Sequence, residues 1–167
     1  MPRATSVTGA GHSHGRAVVD TVILDYAQRS AEKLTVTGVK GIIVDIDLHQ
    51  AARLRTDDLL VLDNGTLVEV VAAPEPLIEA RAADVAGLSR LAWHLGDRHV
   101  PVQVLPNRLR ARRDSAIESL LASLGAKVTM IDAPFEPEGG AYASGHDHDH
   151  DHAHDHEHSH GHHHHDH

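Results

Sequence analysis

Residues 146–167 most constrain what this chain can fold into, because they cannot join a core. They hold 13 of its 18 histidines, six carboxylates, no Lys or Arg, and no apolar residue larger than Ala153. A segment with so little apolar surface does not offset the entropy of ordering itself, so a disordered tail is expected. Its chemistry is that of an imidazole array. Imidazole nitrogen suits Zn, Cu, Fe and Ni, and the interleaved carboxylates concentrate cations. An engineered tag would be an uninterrupted histidine run. Here the longest run is four, from His162 to His165, and elsewhere His alternates with Asp, Ala, Glu, Ser or Gly. The candidate metal ligands are therefore His146, His148, His150, His152, His154, His156, His158, His160, His162, His163, His164, His165 and His167.

The 145 residues before the tail suffice for one core or for two of about 70 residues each. Six of the 24 acidic residues lie in the tail, which leaves 18 against 15 basic ones in the body. That balance does not suggest a nucleic-acid partner. Arg108, Arg110, Arg112 and Arg113 cluster without aromatic neighbours and read as a solvated basic face. The chain has no Cys, which excludes disulfides, thiolate zinc sites and cysteine nucleophiles. No apolar run approaches 18 residues and the first 16 contain no hydrophobic signal core, so a cytoplasmic protein without membrane contact is expected.

Residues 1–16 read as a flexible leader. Its His12 and His14, in Gly11-His12-Ser13-His14-Gly15, are either minor ligands or incidental. Residues 17–74 read as a β-rich domain without a helix of length. Val-, Ile- and Leu-rich runs recur at 18–24, 34–37, 42–48, 59–62 and 67–71, and Asn64-Gly65 signals a two-residue hairpin. His49 stands alone at a strand end. Ala73-Pro74-Glu75-Pro76 reads as a stiff linker.

Residues 75–143 then change pattern. A strand is expected at 77–80. Residues 84–95 read as a helix with Val85, Leu88, Leu91, Ala92 and Leu95 on one face, stopped by Gly96. A hairpin at 100–105 and 108–112 turns at Pro106-Asn107. A second helix starts at Ser115, with Glu118 completing a capping box, and Gly125 ends it. A last strand covers 127–131. The order β-α-β-β-α-β is the ferredoxin-like arrangement. The expected class is α+β: an N-terminal all-β domain, a ferredoxin-like domain, and the tail, residues 144–167.

One ordered segment clusters histidines: Trp93-His94-Leu95-Gly96-Asp97-Arg98-His99. On a continuous helix five residues turn about 140°, so the two rings would not share a face. A break at Gly96 would leave the geometry open. His99 is either a metal ligand or a helix-terminal histidine satisfying a carbonyl; His94 is the weaker candidate. One imidazole does not hold a divalent ion firmly, but a two-fold dimer would supply two copies of the same residue. No serine or cysteine elbow, phosphate-binding glycine loop or HExxH motif occurs.

HLGDRH at 94–99, a helix ending in Leu124-Gly125, FEPEGGAY at 135–142 and the His-rich tail together resemble the second domain of UreE-type urease accessory proteins. Leu54-Arg55-Thr56-Asp57-Asp58-Leu59-Leu60 resembles their first domain more weakly. Asp97 stands where that pattern usually has Asn. The resemblance implies a peptide-binding-like first domain, and a ferredoxin-like second domain that forms a homodimer. It implies Ni(II) bridged at the interface by His99, with His94 matching the first histidine of the motif. Urease apoprotein and its accessory GTPase are the implied partners. Some relatives carry extra histidines before the second helix, where this chain has Arg113, Asp114 and Ser115. The expected function is nickel delivery for urease assembly, not catalysis. The alternative is storage of Ni, Zn(II) or Cu(II) with no dedicated recipient.

Overall fold

The computed structural model describes residues 1–49 and 53–139. The thirteen tail histidines and the expectation of a disordered tail lie outside them. Strands β1 (Arg3–Thr8), β2 (Val18–Leu24), β3 (Lys33–Thr37), β4 (Ile43–Asp47), β5 (Leu59–Leu62) and β6 (Leu67–Ala72) form one sheet in the order β2-β6-β5-β1-β4-β3. The reading of residues 1–16 as a leader is therefore corrected, because Arg3–Thr8 is an interior strand. It pairs in parallel with β4 and antiparallel with β5. Its side chains hid this, since only Ala4 is fully buried. Two-sided backbone pairing holds the strand, with Arg3 Nε 3.1 Å from Asp45 Oδ2 at its start.

Alternation along β2, β4 and β6 sends Val22, Leu24, Val44, Ile46, Val68 and Val70 into one core. The β5–β6 hairpin forms, but not with a two-residue loop. Leu62 and Thr66 close it through Leu62 N–H to Thr66 O (2.9 Å), and Gly65 sits at φ +82°. That is the three-residue connection whose last position requires the left-handed region. A single helical turn, α1 (Tyr26–Arg29), follows β2 and is held by a reciprocal Asp25–Gln28 capping box. Four residues are too few to show a helical period.

Strands β7 (Pro74–Arg81), β8 (Gln103–Leu105), β9 (Arg108–Arg112) and β10 (Lys127–Pro134) form a second, antiparallel sheet in the order β10-β7-β9-β8. Helix α2 (Val85–Asp97) follows β7 and α3 (Ser115–Ser123) follows β9, so the chain is α+β and this half runs β-α-β-β-α-β. The linker expected at 73–76 is corrected: Pro74 and Pro76 begin β7 and pair with Pro134 and Asp132 of β10. Both prolines have the same parity, so their missing donors face one side, and β9 joins β7 only from Leu77 onward. Proline is tolerated where a strand has such a free side. Ile78, Ala80, Leu109, Leu91, Leu95 and Leu121 bury the sheet against the two helices.

The other face of this sheet corrects the reading of a solvated basic face for Arg108 and Arg110, while Arg112 and Arg113 are exposed. Glu79 Oε2 lies 3.0 Å from Arg110 Nε and 3.2 Å from Arg108 Nε, and its Oε1 lies 3.2 Å from Arg81 Nη2. Burial pushes the Glu79 carboxyl up, but the Arg110 hydrogen bond and the surrounding arginines outweigh it and hold the group below the ordinary value. Among the described residues, no helix is long and apolar enough to cross a membrane.

Candidate metal centre

Helix α2 begins at Asp84, whose side chain accepts from the Gly87 N–H at 2.7 Å. Its apolar stripe, Leu88, Leu91 and Leu95, faces the sheet. Gly96 does not stop it, contrary to expectation. The helix runs through Gly96 to Asp97, and Arg98 caps it. His99 N–H donates to Gly96 O and Val100 N–H to Leu95 O, both at 3.0 Å. This is the Schellman pattern, with His99 at the position that glycine usually holds. His99 accordingly has φ +55°. The competing force is apolar: Leu95 and Val100 both pack into the second core, so the helix ends where Val100 can return to it.

The consequence is positional. His94 lies in the last turn, half-buried, with its ring edge-to-face against Trp93 at 5.0 Å between centroids. Arg98 Nη1 donates to His94 O at 3.1 Å, satisfying a terminal carbonyl. His99 lies two residues beyond the helix and is exposed. Among the described residues, no three His, Asp or Glu side chains gather where they could hold an ion. Among those residues, then, no third ligand joins the two histidines of the motif.

His99 borders an open cavity of about 720 Å³ between the end of α2 and the start of α3. Glu75, Arg98, Arg112, Arg113 and Asp114 supply its charges. Asp114 is also the cap of α3, accepting from Ala116 and Ile117 N–H at 2.8 and 3.1 Å. The expected Ser115–Glu118 capping box is therefore corrected by one residue. Asp114 has the extended backbone of a cap (φ −151°), and Ser115 is already helical.

A network that the local sequence did not announce joins the two sheets beside this cavity. Arg29 is 2% exposed. It donates to Leu24 O (3.2 Å), Leu54 O (3.1 Å) and Phe135 O, and its Nη1 lies 3.9 Å from Glu136 Oε1. Phe135, fully buried, meets Tyr26 edge-to-face at 5.4 Å, and Arg112 lies 4.9 Å over the Tyr26 ring. Glu136 also accepts from the Thr56 N–H at 2.6 Å. The FEPE segment thus clamps the first sheet to the strands that carry the His99 cavity. The only sequence signal was the motif itself; Arg29 gave none.

Comparison with known proteins gives the same family along the whole chain. The family model for the UreE urease accessory protein N-terminal domain matches residues 4–73, and that for its C-terminal domain matches 75–167. A urease accessory protein UreE of Bradyrhizobium sp. (strain BTAi1) is 53% identical over 152 residues, covering 88% of this chain and 73% of that protein. The protein of the same name from Bradyrhizobium sp. (strain ORS 278) is 52% identical over 143 residues, covering 86% and 68%. That of Rhodopseudomonas palustris (strain BisB18) is 53% identical over 143 residues, covering 86% and 67%.

Proposed function

The chain belongs to the UreE family of urease accessory proteins, and from that premise we propose that it is a nickel metallochaperone. It acts in urease maturation in the cytoplasm as a homodimer that carries Ni(II), hands it to urease apoprotein in company with the accessory GTPase, and catalyses nothing itself. The observation that carries this reading is His99: exposed, bordering a cavity, and held in a backbone conformation that imidazole does not favour. Such a residue is kept for its side chain and not for folding.

The surface beside it supports a dimer. Val85, Ser89, Trp93 and Gly96 fall at i, i+4, i+8 and i+11, on one face of α2. Val85 is 81% and Trp93 63% exposed, and a Cβ at Gly96 would meet nothing within 4 Å among the described residues. A two-fold axis through such a face brings only the residues beside it against their own copies, so an axis passing beside His99 would make one residue per protomer supply two ligands. His94, against Trp93, is the second candidate. The tail histidines act as a labile store that feeds this firmer site. Nickel comes from the family: copper binds imidazole more tightly and zinc comparably, so availability and geometry decide among them. Storage without a recipient accounts for the tail equally well, but it gives no reason for a strained, ordered His99.

Ending the chain after Ser144 is expected to leave fold and dimer intact while removing most of the nickel capacity. His99→Ala in that shortened chain should then abolish the tightest nickel bound per dimer in equilibrium dialysis, and urease activation should fall. A tight nickel retained in that variant refutes the role of His99.

A further inference from the structure

The β1–β2 loop holds a second pair of histidines in a built conformation. Two turns shape it: His12 N–H donates to Gly9 O at 3.1 Å and Arg16 N–H to Ser13 O at 2.9 Å. Arg16 Nε also donates to Ser13 O, at 3.3 Å. Gly11 and Gly15 take φ +77°, and His14 between them takes φ +48°. Left-handed backbone is unfavourable for a residue with a Cβ, so the loop holds His14 against its own preference.

The result brings the two exposed rings together, with centroids 5.9 Å apart and planes tilted by 50°. His12 Nδ1 lies 3.0 Å from Ala10 O. A carbonyl only accepts, so Nδ1 is the donor of this contact, and in the neutral ring Nε2 then keeps its lone pair. A backbone carbonyl fixing one ring nitrogen while the other faces outward is how ligating histidines are oriented.

We propose that His12 and His14 form a two-imidazole site for one divalent ion of the zinc, nickel and copper class, separate from His99 and from the tail. With metal–nitrogen bonds of about 2.0–2.1 Å and about 1.2 Å from nitrogen to ring centre, two rings on one ion have centroids about 4.5 Å apart at a right angle and about 6.4 Å in line. The observed separation of 5.9 Å falls inside that range. Among the described residues no third His, Asp or Glu joins them. The pair gives the first sheet a metal contact of its own, on a different sheet from His99.

Zinc, being diamagnetic, serves as the probe. The full-length chain carrying 15N-histidine is titrated with Zn(II), and the ring signals are followed by NMR. His12 and His14 should respond together at one midpoint, ahead of the isolated His49, and His99→Ala should leave that midpoint unchanged. His14→Gly removes one ligand and relaxes the backbone, so the fold is kept. In that variant the His12 response should weaken by at least tenfold, since loss of even an outer-shell partner costs about 10–100-fold in metal affinity. His12→Asn should do the same to His14. Separate midpoints for the two rings, no response ahead of His49, or a His12 midpoint unaltered by His14→Gly would each overturn the site.

Discussion

The two helices of the second sheet end on the same pair of backbone hydrogen bonds, with a different residue at the left-handed position. In α2, Val100 N–H donates to Leu95 O and His99 N–H to Gly96 O; in α3, Ala126 N–H donates to Leu121 O and Gly125 N–H to Ala122 O, all at 3.0 Å. Leu95 and Leu121 are each 1% exposed and belong to the same core, with Val100 and Ala126 packed against it. Both helices start at an aspartate cap, Asp84 or Asp114. The left-handed position, however, holds Gly125 at φ +81° in α3 and His99 at φ +55° in α2. The α3 end is what folding alone selects. The α2 end departs from it at His99, which borders the cavity and closes the family motif, so the two ends offer a way to separate what stability asks of this motif from what function asks.

The strongest test of the likeness is the pair of buried leucines. Leu95→Ala and Leu121→Ala each remove a buried side chain and are expected to lower stability by about 2–5 kcal/mol in urea unfolding. The losses should agree within about 1 kcal/mol if the two ends are mechanically equivalent. A markedly smaller loss at Leu95 would mean that α2 is held mainly by something outside this motif, such as contact with a second copy.

Next in size is Gly125→Ala. A Cβ there meets nothing within 4 Å, so the change acts on the backbone alone. Left-handed strain of about 1–2 kcal/mol, partly offset by the stiffer unfolded chain, leaves a net loss of about 1 kcal/mol. Thermal unfolding of the variant measures it. An unchanged midpoint would show that this position tolerates side chains freely, and the conformation of His99 would then carry no meaning.

How far such features could be read in advance depends on whether they are local. Leu88, Leu91 and Leu95 lie at helical spacing, and β2, β5 and β9 show their pattern within a few residues, so these elements were legible. The end of α2 was not legible because Gly96 is the residue type that usually stops a helix, whereas the return of Val100 to the core, four residues later, decided the matter. Asp114 and Ser115 are both good caps in adjacent positions, and only the exit of the chain from β9 makes Asp114 the extended one. Arg3–Thr8 lacked an apolar pattern because its pairing is by backbone. Arg29 and Phe135 stand 106 residues apart, beyond any periodicity. At the candidate metal centre, His99 was legible as a motif residue, but its left-handed backbone was not, since that follows from how the helix ends.

The smallest stability change is also the one that best divides folding from function. His99→Gly places in α2 the residue that α3 already has. Relief of left-handed strain favours the variant by about 1–2 kcal/mol, and the extra freedom of glycine in the unfolded chain opposes it by about 0.5–1 kcal/mol. Strain relief is the larger, so the metal-free protein should gain about 0.5 kcal/mol, a rise of a few degrees at most in its unfolding midpoint. The same change removes the imidazole, so nickel held outside the tail should be lost even as the fold is strengthened. The two readouts therefore move in opposite directions, which a merely damaged protein would not show. Measured in chelator, a drop in stability would mean that the His99 side chain supports the fold through its own contacts. The contrast between the two helix ends would then reflect packing and not metal.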